Sequence, residues 1–125
     1  MTQPRPLVIY NQMVVDGPSD QKADQIFRAL ADRTRRDIVV RVLSRDESVS
    51  ALAGRYAMSF AAVQKHVAVL ERAGLVTKER HGREQHVRGD VHAVRQAATL
   101  LDAYERVWRQ RIGQVDQLLA EDERS

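Results

Sequence analysis

The chain has 125 residues, the length of one domain, and its 43% hydrophobic and 30% charged residues are typical of a soluble globular protein. It has no cysteine, which excludes disulfides, thiolate metal sites and thiol redox sensing, and it lacks both a signal sequence and an apolar run of about 18 residues. From these absences we expect a cytoplasmic protein without membrane contact. The net charge is only +3, so the distribution of charge along the chain is more informative than its sum.

Positive charge is concentrated in the middle of the chain. Between Asp32 and Arg88 there are 12 Lys and Arg against 7 Asp and Glu, a balance of +5. The remaining residues carry 8 basic and 10 acidic groups, a balance of −2. A basic middle flanked by acidic ends is typical of a phosphate-binding surface, although a chance scatter of surface charge would give the same counts.

Residues 1–19 are predicted to form a flexible N-terminal arm that ends in the turn cluster at residues 16–19. Two apolar runs within the arm, Leu7 to Tyr10 and Met13 to Val15, are too short to make a sheet alone. They would either pack across a partner subunit or form a loosely held leader.

Two helices are predicted to follow. The first runs from Ser19 or Asp20 to Ala31, and the second, capped by Asp32, runs from Arg33 to about Arg45. Along the first helix Ala23, Ile26, Phe27 and Leu30 lie on one side, and the residues expected to face inward in the second helix are Ile38, Val39, Val42 and Leu43. After a polar break at residues 46–48, Ser50 is expected to cap a short third helix over residues 51–57, with Leu52 and Tyr56 inward.

A longer fourth helix, called the reading helix below, is predicted from the cap Ser59 to the stop signal Gly74. Its apolar stripe is Val63, Val67 and Leu70, and its outward residues are Ala61, Gln64, Lys65, Ala68 and Arg72. This outward face carries no acid and suits the major groove of DNA, where Gln64 can read an adenine edge and Lys65 can meet phosphate. An ordinary amphipathic surface helix would show the same stripe.

The neighbouring segments favour DNA binding. A short helix, a tight connector at Met58 and Ser59, and a longer helix make a helix-turn-helix. The segments Leu75 to Arg80 and Glu84 to Arg88 then show the two-residue alternation of side chains that is typical of strands. Gly82 between them supplies the positive φ of a tight hairpin. The hairpin is too polar to be core, and its tip carries Arg80, His81 and Arg83. A basic hairpin beside a helix-turn-helix is the winged-helix plan.

The last helix is predicted from its cap Asp90 to about Ala120, roughly 45 Å at about 1.5 Å per residue. Its apolar repeat is Val94, Leu101, Trp108 and Val115 every seven residues, with Ala98, Ile112 and Leu119 falling four residues after members of that series. A domain of this size cannot cover such a helix, so the stripe that includes Tyr104 and Trp108 needs a partner, most simply the same helix of a second subunit. The chain then divides into an arm (1–19), a winged helix-turn-helix domain (20–89) and a dimerisation helix (90–125).

Four stretches of this chain resemble the arsenic-repressor (ArsR/SmtB) family of winged-helix regulators. They occur in the family's order and spacing between about residues 23 and 120, and they are Phe27 to Ile38, Ser48 to Ala53, Met58 to Val76 and His81 to His86. The long last helix, with Tyr104, Trp108 and the late pair Arg111-Ile112, resembles the subgroup without metal sites.

The resemblance implies a mainly α fold with a small β-hairpin, dimeric through the first and last helices. It implies a homodimeric transcriptional repressor, without cofactor, on a palindromic operator near its own promoter. The DNA-binding residues carried over by position are Ser59, Phe60, Ala61, Gln64, Lys65 and His66 in the reading helix and Arg80, His81, Arg83 and Gln85 in the wing. The dimer interface is expected at Phe27, Leu101, Tyr104, Trp108, Ile112 and Val115.

Two departures from the family pattern affect the reading helix. The family often has Gln-Pro where this chain has Phe60 and Ala61, and Ser where it has Gln64. The operator sequence therefore does not transfer, and Phe60 would either pack inward or touch a thymine methyl group.

The family's metal sites are incomplete in this sequence. The site on the third helix needs cysteines, and the chain has none. The site on the last helix begins as Asp-x-His, which Asp90 and His92 match, but its second half falls near Ala103 and Arg106, neither of which binds zinc. In the wing, strand alternation and phosphate contact explain the crowding of His81, Glu84 and His86 better than a metal does.

Three other functions are weighed against a DNA-binding repressor. An enzyme is not expected, because the chain has no Gly-x-Ser-x-Gly elbow, phosphate-cradling glycine loop or paired-histidine motif. A winged helix that binds protein instead of DNA would carry acidic or apolar residues on the reading helix. A metal-responsive repressor would need the missing ligands. The sequence does not identify an effector, so the protein is either a constitutive autorepressor or answers to an apolar molecule bound near the last helix.

Overall fold

The structure is a computed structural model that describes residues 7–10 and 13–124. In chain order its elements are β1 (Leu7–Tyr10), β2 (Met13–Asp16), α1 (Asp20–Leu30), α2 (Arg33–Ser44), β3 (Glu47–Ser48), α3 (Val49–Tyr56), α4 (Phe60–Arg72), β4 (Val76–His81), β5 (Glu84–Gly89) and α5 (Val91–Arg124). The described residues form a two-stranded sheet, β1-β2, and a three-stranded antiparallel sheet ordered β3-β5-β4. This mainly helical architecture with a β-hairpin confirms the predicted winged helix-turn-helix fold class.

Two of the predicted helix caps are confirmed by their hydrogen bonds. The carboxylate of Asp32 accepts from the backbone N–H of Arg35 at 3.0 Å, and the hydroxyl of Ser59 accepts from that of Ala62 at 3.1 Å. Each cap satisfies one of the free N–H groups in the first turn of its helix. These caps therefore fix where α2 and α4 begin.

The start of α3 was predicted wrongly. Ser48, not Ser50, caps the helix, because its backbone is extended and its hydroxyl accepts from the N–H of Ala51 at 3.0 Å. Glu47 and Ser48, expected to be a polar break, instead form β3 and pair with Val87 and His86 of β5. The helix therefore begins directly from a strand.

The core lies between the first four helices and the base of the hairpin. Its largest fully buried side chains include Ile26, Ile38, Leu52, Leu70, Leu75 and Val87. The prediction that Leu43 faces inward was wrong, because this residue stands near the end of α2, beside Gly89, and is 42% exposed. Phe27 of α1 is partly exposed.

The hairpin of β4 and β5 is anchored in the core at one end only. Val76 and Val87 are fully buried at its base, so the expectation that the hairpin is too polar to be core was wrong there. Toward the tip the side chains become exposed, and Gly82 adopts the positive φ of +63° that the two-residue turn requires. The buried base holds the tip in a defined position beside the helices.

The N-terminal segment forms a hairpin, in which β1 pairs antiparallel with β2 from Leu7 opposite Asp16 to Tyr10 opposite Met13. The expectation that these runs are too short to make a sheet alone was wrong, since the two paired strands satisfy each other's backbone groups. Both strands contact α5. Residues 1–6 and 11–12 of the predicted arm lie outside the described residues.

The helix α5 is 34 residues long, and it runs four residues beyond the predicted end. The carboxylate of Asp90 accepts from the backbone N–H of His92 at 2.9 Å, as a cap does. In the first part of the helix Ala93, Ala97 and Ala103 are buried, whereas the residues that follow them are mostly exposed. In the part of the chain that the structure describes, no helix is both long and apolar enough to cross a membrane.

Candidate nucleic-acid interface

The reading helix α4 has one buried and one exposed face. Val63, Val67 and Leu70 are fully buried against the other helices. On the opposite side Ala61 and Lys65 are exposed, and the small side chain of Ala61 lets another molecule approach the backbone closely. The division into two faces therefore follows the sequence pattern.

Gln64 lies at the edge of this exposed face, next to the wing. Its side-chain Nε2 donates a hydrogen bond of 3.2 Å to Oε1 of Gln85 in β5. Two turns further along α4, the carboxylate of Glu71 lies 3.5 Å from the ammonium group of Lys78 in β4. These two contacts attach the wing to one flank of the reading helix.

Phe60 and His66, both predicted to face DNA, lie in different surroundings. Phe60, the first residue of α4, is 51% exposed and so does not pack fully into the core. The side chain of His66 is only 21% exposed, and its Nδ1 lies 3.9 Å from the carboxylate of Asp32 at the start of α2. His66 therefore points to the flank of α4 opposite the wing and does not join the outward set.

The strand register divides the wing residues between two faces. Arg80 is opposite Gln85, so these two share the face that carries Lys78 and looks toward α4. His81 lies on the other face, with its ring centroid 4.6 Å from that of His86. The predicted wing residues are thus not one continuous patch.

Basic groups crowd the tip of the wing. Arg80 and Arg83 are exposed, with Arg83 in the turn itself. The Nε of Arg80 donates to the carbonyl oxygen of Gly82 at 3.3 Å, which holds the guanidinium against the turn. The tip can therefore present positive charge to phosphate.

A network that the sequence did not suggest joins α2 to α3. The hydroxyl of Tyr56 and the Nε of Arg41 both donate to the carboxylate of Asp37, and these hydrogen bonds lower the pKa of Asp37. Burial, together with the hydrogen bond to Asp37, raises the pKa of Tyr56 from 10.0 to about 12. Hydrogen bonding to Asp37 likewise raises the pKa of Arg41. The network ties the first helix of the helix-turn-helix to α2.

Comparison with known proteins identifies the family. No protein-family model matches the chain. It is 42% identical over 67 residues to the uncharacterized HTH-type transcriptional regulator YuzN of Bacillus subtilis (strain 168), an alignment that covers 48% of this chain and 73% of YuzN. Among solved structures, the ArsR-like transcriptional regulator from Rhodococcus sp. RHA1 is 30% identical, with a TM-score of 0.72, over 81% of this chain and 93% of that one. The chain belongs to the ArsR family.

A more distant structure shares the fold. It is the homodimeric winged helix-turn-helix DNA-binding domain from Mycobacterium bovis, which is 23% identical, with a TM-score of 0.57, over 71% of this chain and 89% of that one. Membership of the ArsR family makes the protein a DNA-binding transcriptional regulator and not an enzyme. The predicted family and class of function are confirmed.

The residues at the ArsR metal positions do not fit a metal. Asp90 is engaged with the N–H of His92, Ala103 is buried, and Arg106 forms an ion pair of 3.0 Å with Asp102. Within residues 7–10 and 13–124, no three His, Cys, Asp or Glu side chains are grouped as ligands. In the wing, the imidazoles are paired with neighbouring carboxylates instead, at 3.3 to 3.5 Å.

The ArsR chain also leaves an apolar stripe uncovered on α5. Its predicted interface residues and their exposed fractions are Leu101 52%, Tyr104 50%, Trp108 57%, Ile112 42% and Val115 49%, with Leu118 and Leu119 more exposed still. Phe27 of α1 is 38% exposed. A continuous stripe of large apolar residues on one helix is typical of an interaction surface.

Proposed function

We propose that this ArsR-family regulator is a homodimeric repressor that binds a palindromic operator near its own promoter. The observation that carries the proposal is the outward face of the first two turns of α4, which has no acid and exposes Ala61 and Lys65 beside a wing tip bearing Arg80 and Arg83. A helix with such a face fits the major groove, and basic side chains at its edge meet the phosphates.

The contacts divide between base reading and phosphate binding. Gln64 has the amide chemistry that reads the N6 and N7 edge of adenine. Phe60, exposed at the start of α4, suits contact with a thymine methyl group. Lys65 and Arg83 are placed to neutralise phosphates, which contribute affinity without sequence preference. Sequence specificity would therefore rest on few residues of α4.

Dimerisation is supported by the stripe on α5. Leu101, Trp108 and Val115 recur every seven residues, the spacing with which one helix packs along another. The Mycobacterium bovis protein of the same fold is homodimeric, which fits this reading. A twofold-symmetric dimer presents two copies of α4 and so favours a palindromic operator. In this scheme residues 20–89 bind DNA, residues 90–125 form the dimer, and the strands β1 and β2 of the arm lie against α5.

We further propose that no metal ion releases the DNA and that the protein acts in the cytoplasm, with the DNA that it regulates. The incomplete ligand sets on α3 and α5 support the first point. The protein would then be either a constitutive autorepressor or a repressor that responds to an apolar molecule bound near the last helix.

A gel-shift experiment tests the proposal. The probe is a duplex from the gene's own upstream region, and the control is a scrambled duplex of the same length and composition. We expect tighter binding to the upstream duplex, weaker binding as the salt rises from about 50 to about 200 mM, and no effect of EDTA. Equal binding to both duplexes would contradict an operator, and loss of binding in EDTA would contradict metal independence.

A further inference from the structure

A second basic surface lies between α2 and α3. It is a groove of about 560 Å³, and its basic and hydroxyl-bearing side chains are Arg33, Thr34, Arg36, Arg41, Arg55 and Tyr56. The carboxylate of Asp37 also lines the groove, so four guanidinium groups surround a single acid. None of these side chains belongs to the outward face of α4 or to the wing.

The positive charge is not neutralised evenly along the groove. Arg41 is bonded to Asp37 and Tyr56, and Arg55 is paired with the buried carboxylate of Glu47 at 3.0 Å. The Nη1 of Arg36 donates to the carbonyl oxygen of Leu30 at 2.8 Å, and this neutral acceptor does not balance the charge of the guanidinium. The excess charge therefore collects at the α2 N-terminal end, around Arg33 and Arg36.

Arg33 is the least constrained of these cations. It is exposed, and within the described part of the chain its guanidinium group makes no hydrogen bond or short ion pair. Its charge contributes to the lowered pKa of Asp37, but less than the hydrogen bonds from Tyr56 and Arg41 do. A guanidinium held near other cations without an acid of its own is suited to an external anion.

Both ends of the groove are fixed next to α4. At one end Asp32, which precedes Arg33, lies 3.9 Å from His66 in the middle of α4. At the other end Tyr56 leads through the left-handed residue Ala57, with φ of +51°, into the cap of α4. The wing is attached to the opposite flank through Gln64. The reading helix thus has a basic surface on each side.

This arrangement matches the shape of duplex DNA. A helix seated in the major groove, which is about 12 Å wide, lies between two sugar-phosphate ridges. The wing serves the ridge on the Gln64 flank. We propose that the groove between α2 and α3 binds the phosphates of the other ridge, with Arg33 as the main contact and Arg36 as the second. This inference rests on the proposed insertion of α4 into the major groove.

The test compares Arg33→Gln with Arg109→Gln. The control removes one exposed arginine from α5, outside the groove, where Arg109 is paired with Glu105. Binding to the upstream and scrambled duplexes is measured from about 50 to about 200 mM salt. For Arg33→Gln we expect a salt slope smaller by about one. We also expect the affinity at low salt to fall roughly three- to tenfold, to a similar extent on both duplexes. Unchanged thermal melting of both variants shows that they remain folded.

Neutral methylphosphonate linkages locate the contact. Each is placed at one phosphate, and binding of the wild type, Arg33→Gln and Arg83→Gln is compared. We expect that some linkages weaken DNA binding by the wild type but not by Arg33→Gln. Other linkages should weaken binding by the wild type but not by Arg83→Gln. The two sets of linkages should lie on opposite ridges of the major groove. If Arg33→Gln behaves like Arg109→Gln, or shares its phosphates with Arg83→Gln, the inference is wrong.

Failure of the operator proposal gives a different result. In that case the wild type binds the upstream and scrambled duplexes equally, and the groove is still judged by the salt slope of Arg33→Gln on the scrambled duplex. If the wild type prefers the upstream duplex but Arg33→Gln has the same salt slope as Arg109→Gln, only the proposal about the groove is contradicted.

Discussion

Gln64 of α4 and Gln85 of β5 are joined by a hydrogen bond of 3.2 Å between their side-chain amides. A glutamine amide has two N–H donors and an oxygen that accepts twice, so this bond leaves Gln64 one donor and its oxygen. Those are the groups that a bidentate contact with adenine uses. The wing therefore holds the Gln64 amide, which we propose reads a base, in a fixed orientation before DNA arrives.

The first prediction concerns this amide pair. Gln64→Ala should lose discrimination at one operator position, on the order of 1–3 kcal/mol. Gln85→Ala should weaken discrimination at the same position, because the Gln64 amide is no longer oriented. In the double variant the two losses of discrimination should not add. Competition binding with single-base variants of the operator measures each loss. Additive losses, or effects at different positions, would show that the two residues act independently.

The second prediction separates phosphate contacts from base contacts. Lys65→Ala and Arg83→Ala should each weaken binding to every duplex alike and lower the salt slope by about one. Arg109→Gln on α5 provides the control for loss of a distant charge. A variant whose slope equals that of the control would not contact phosphate.

The sequence predicted those elements whose signals are local. Asp32 and Ser59 cap the helices that follow them, and Gly74 and Gly82 have the positive φ expected of stop and turn residues. In each case a few neighbouring residues determine the backbone, so that no knowledge of the rest of the chain is needed.

Features that depend on distant partners were missed. Glu47 and Ser48 are a strand only because β5, some 40 positions later, pairs with them. The place of His66 on a helical wheel shows that it lies to one side of α4, but only the fold shows that Asp32 stands there. The groove between α2 and α3 likewise joins arginines that the sequence separates, and its only sequence signal was the basic balance of the middle segment.

The third prediction follows from the close approach of Gly89 to α2. A Cβ atom at Gly89 would lie 2.8 Å from the backbone nitrogen of Leu43, closer than atoms pack. Gly89→Ala should therefore push β5 from α2 and lower the free energy of unfolding by roughly 1–3 kcal/mol. Gly54→Ala in α3 is a matched control, because nothing lies within 4 Å of its Cβ position and alanine favours helix. Urea denaturation in which Gly89→Ala is as stable as Gly54→Ala would contradict the contact.

The fourth prediction concerns the pH dependence of the Tyr56 network. Folding raises the pKa of Tyr56 from 10.0 to about 12, so the folded state holds the phenol proton more tightly. The resulting stabilisation is complete below pH 10 and is lost as the pH rises to about 12. Tyr56→Phe should cost about 1 kcal/mol near pH 8, for the lost hydrogen bond, and this deficit should shrink above pH 10. Denaturation of both proteins at several pH values measures it; a deficit that does not change with pH would contradict the shift.

The fifth prediction concerns the dimer. Trp108 is 57% exposed in the middle of the apolar stripe on α5, with Tyr104 and Ile112 one turn away on either side. If a second α5 covers this stripe, Trp108→Asp places a carboxylate in an apolar interface, where an unpaired charge is strongly unfavourable. We expect a monomer in sedimentation equilibrium and binding to a single half-site. Gln114→Asp is the control, because it adds the same charge to α5 away from the stripe and should leave a dimer. A dimer that persists in Trp108→Asp would place the interface elsewhere on the molecule.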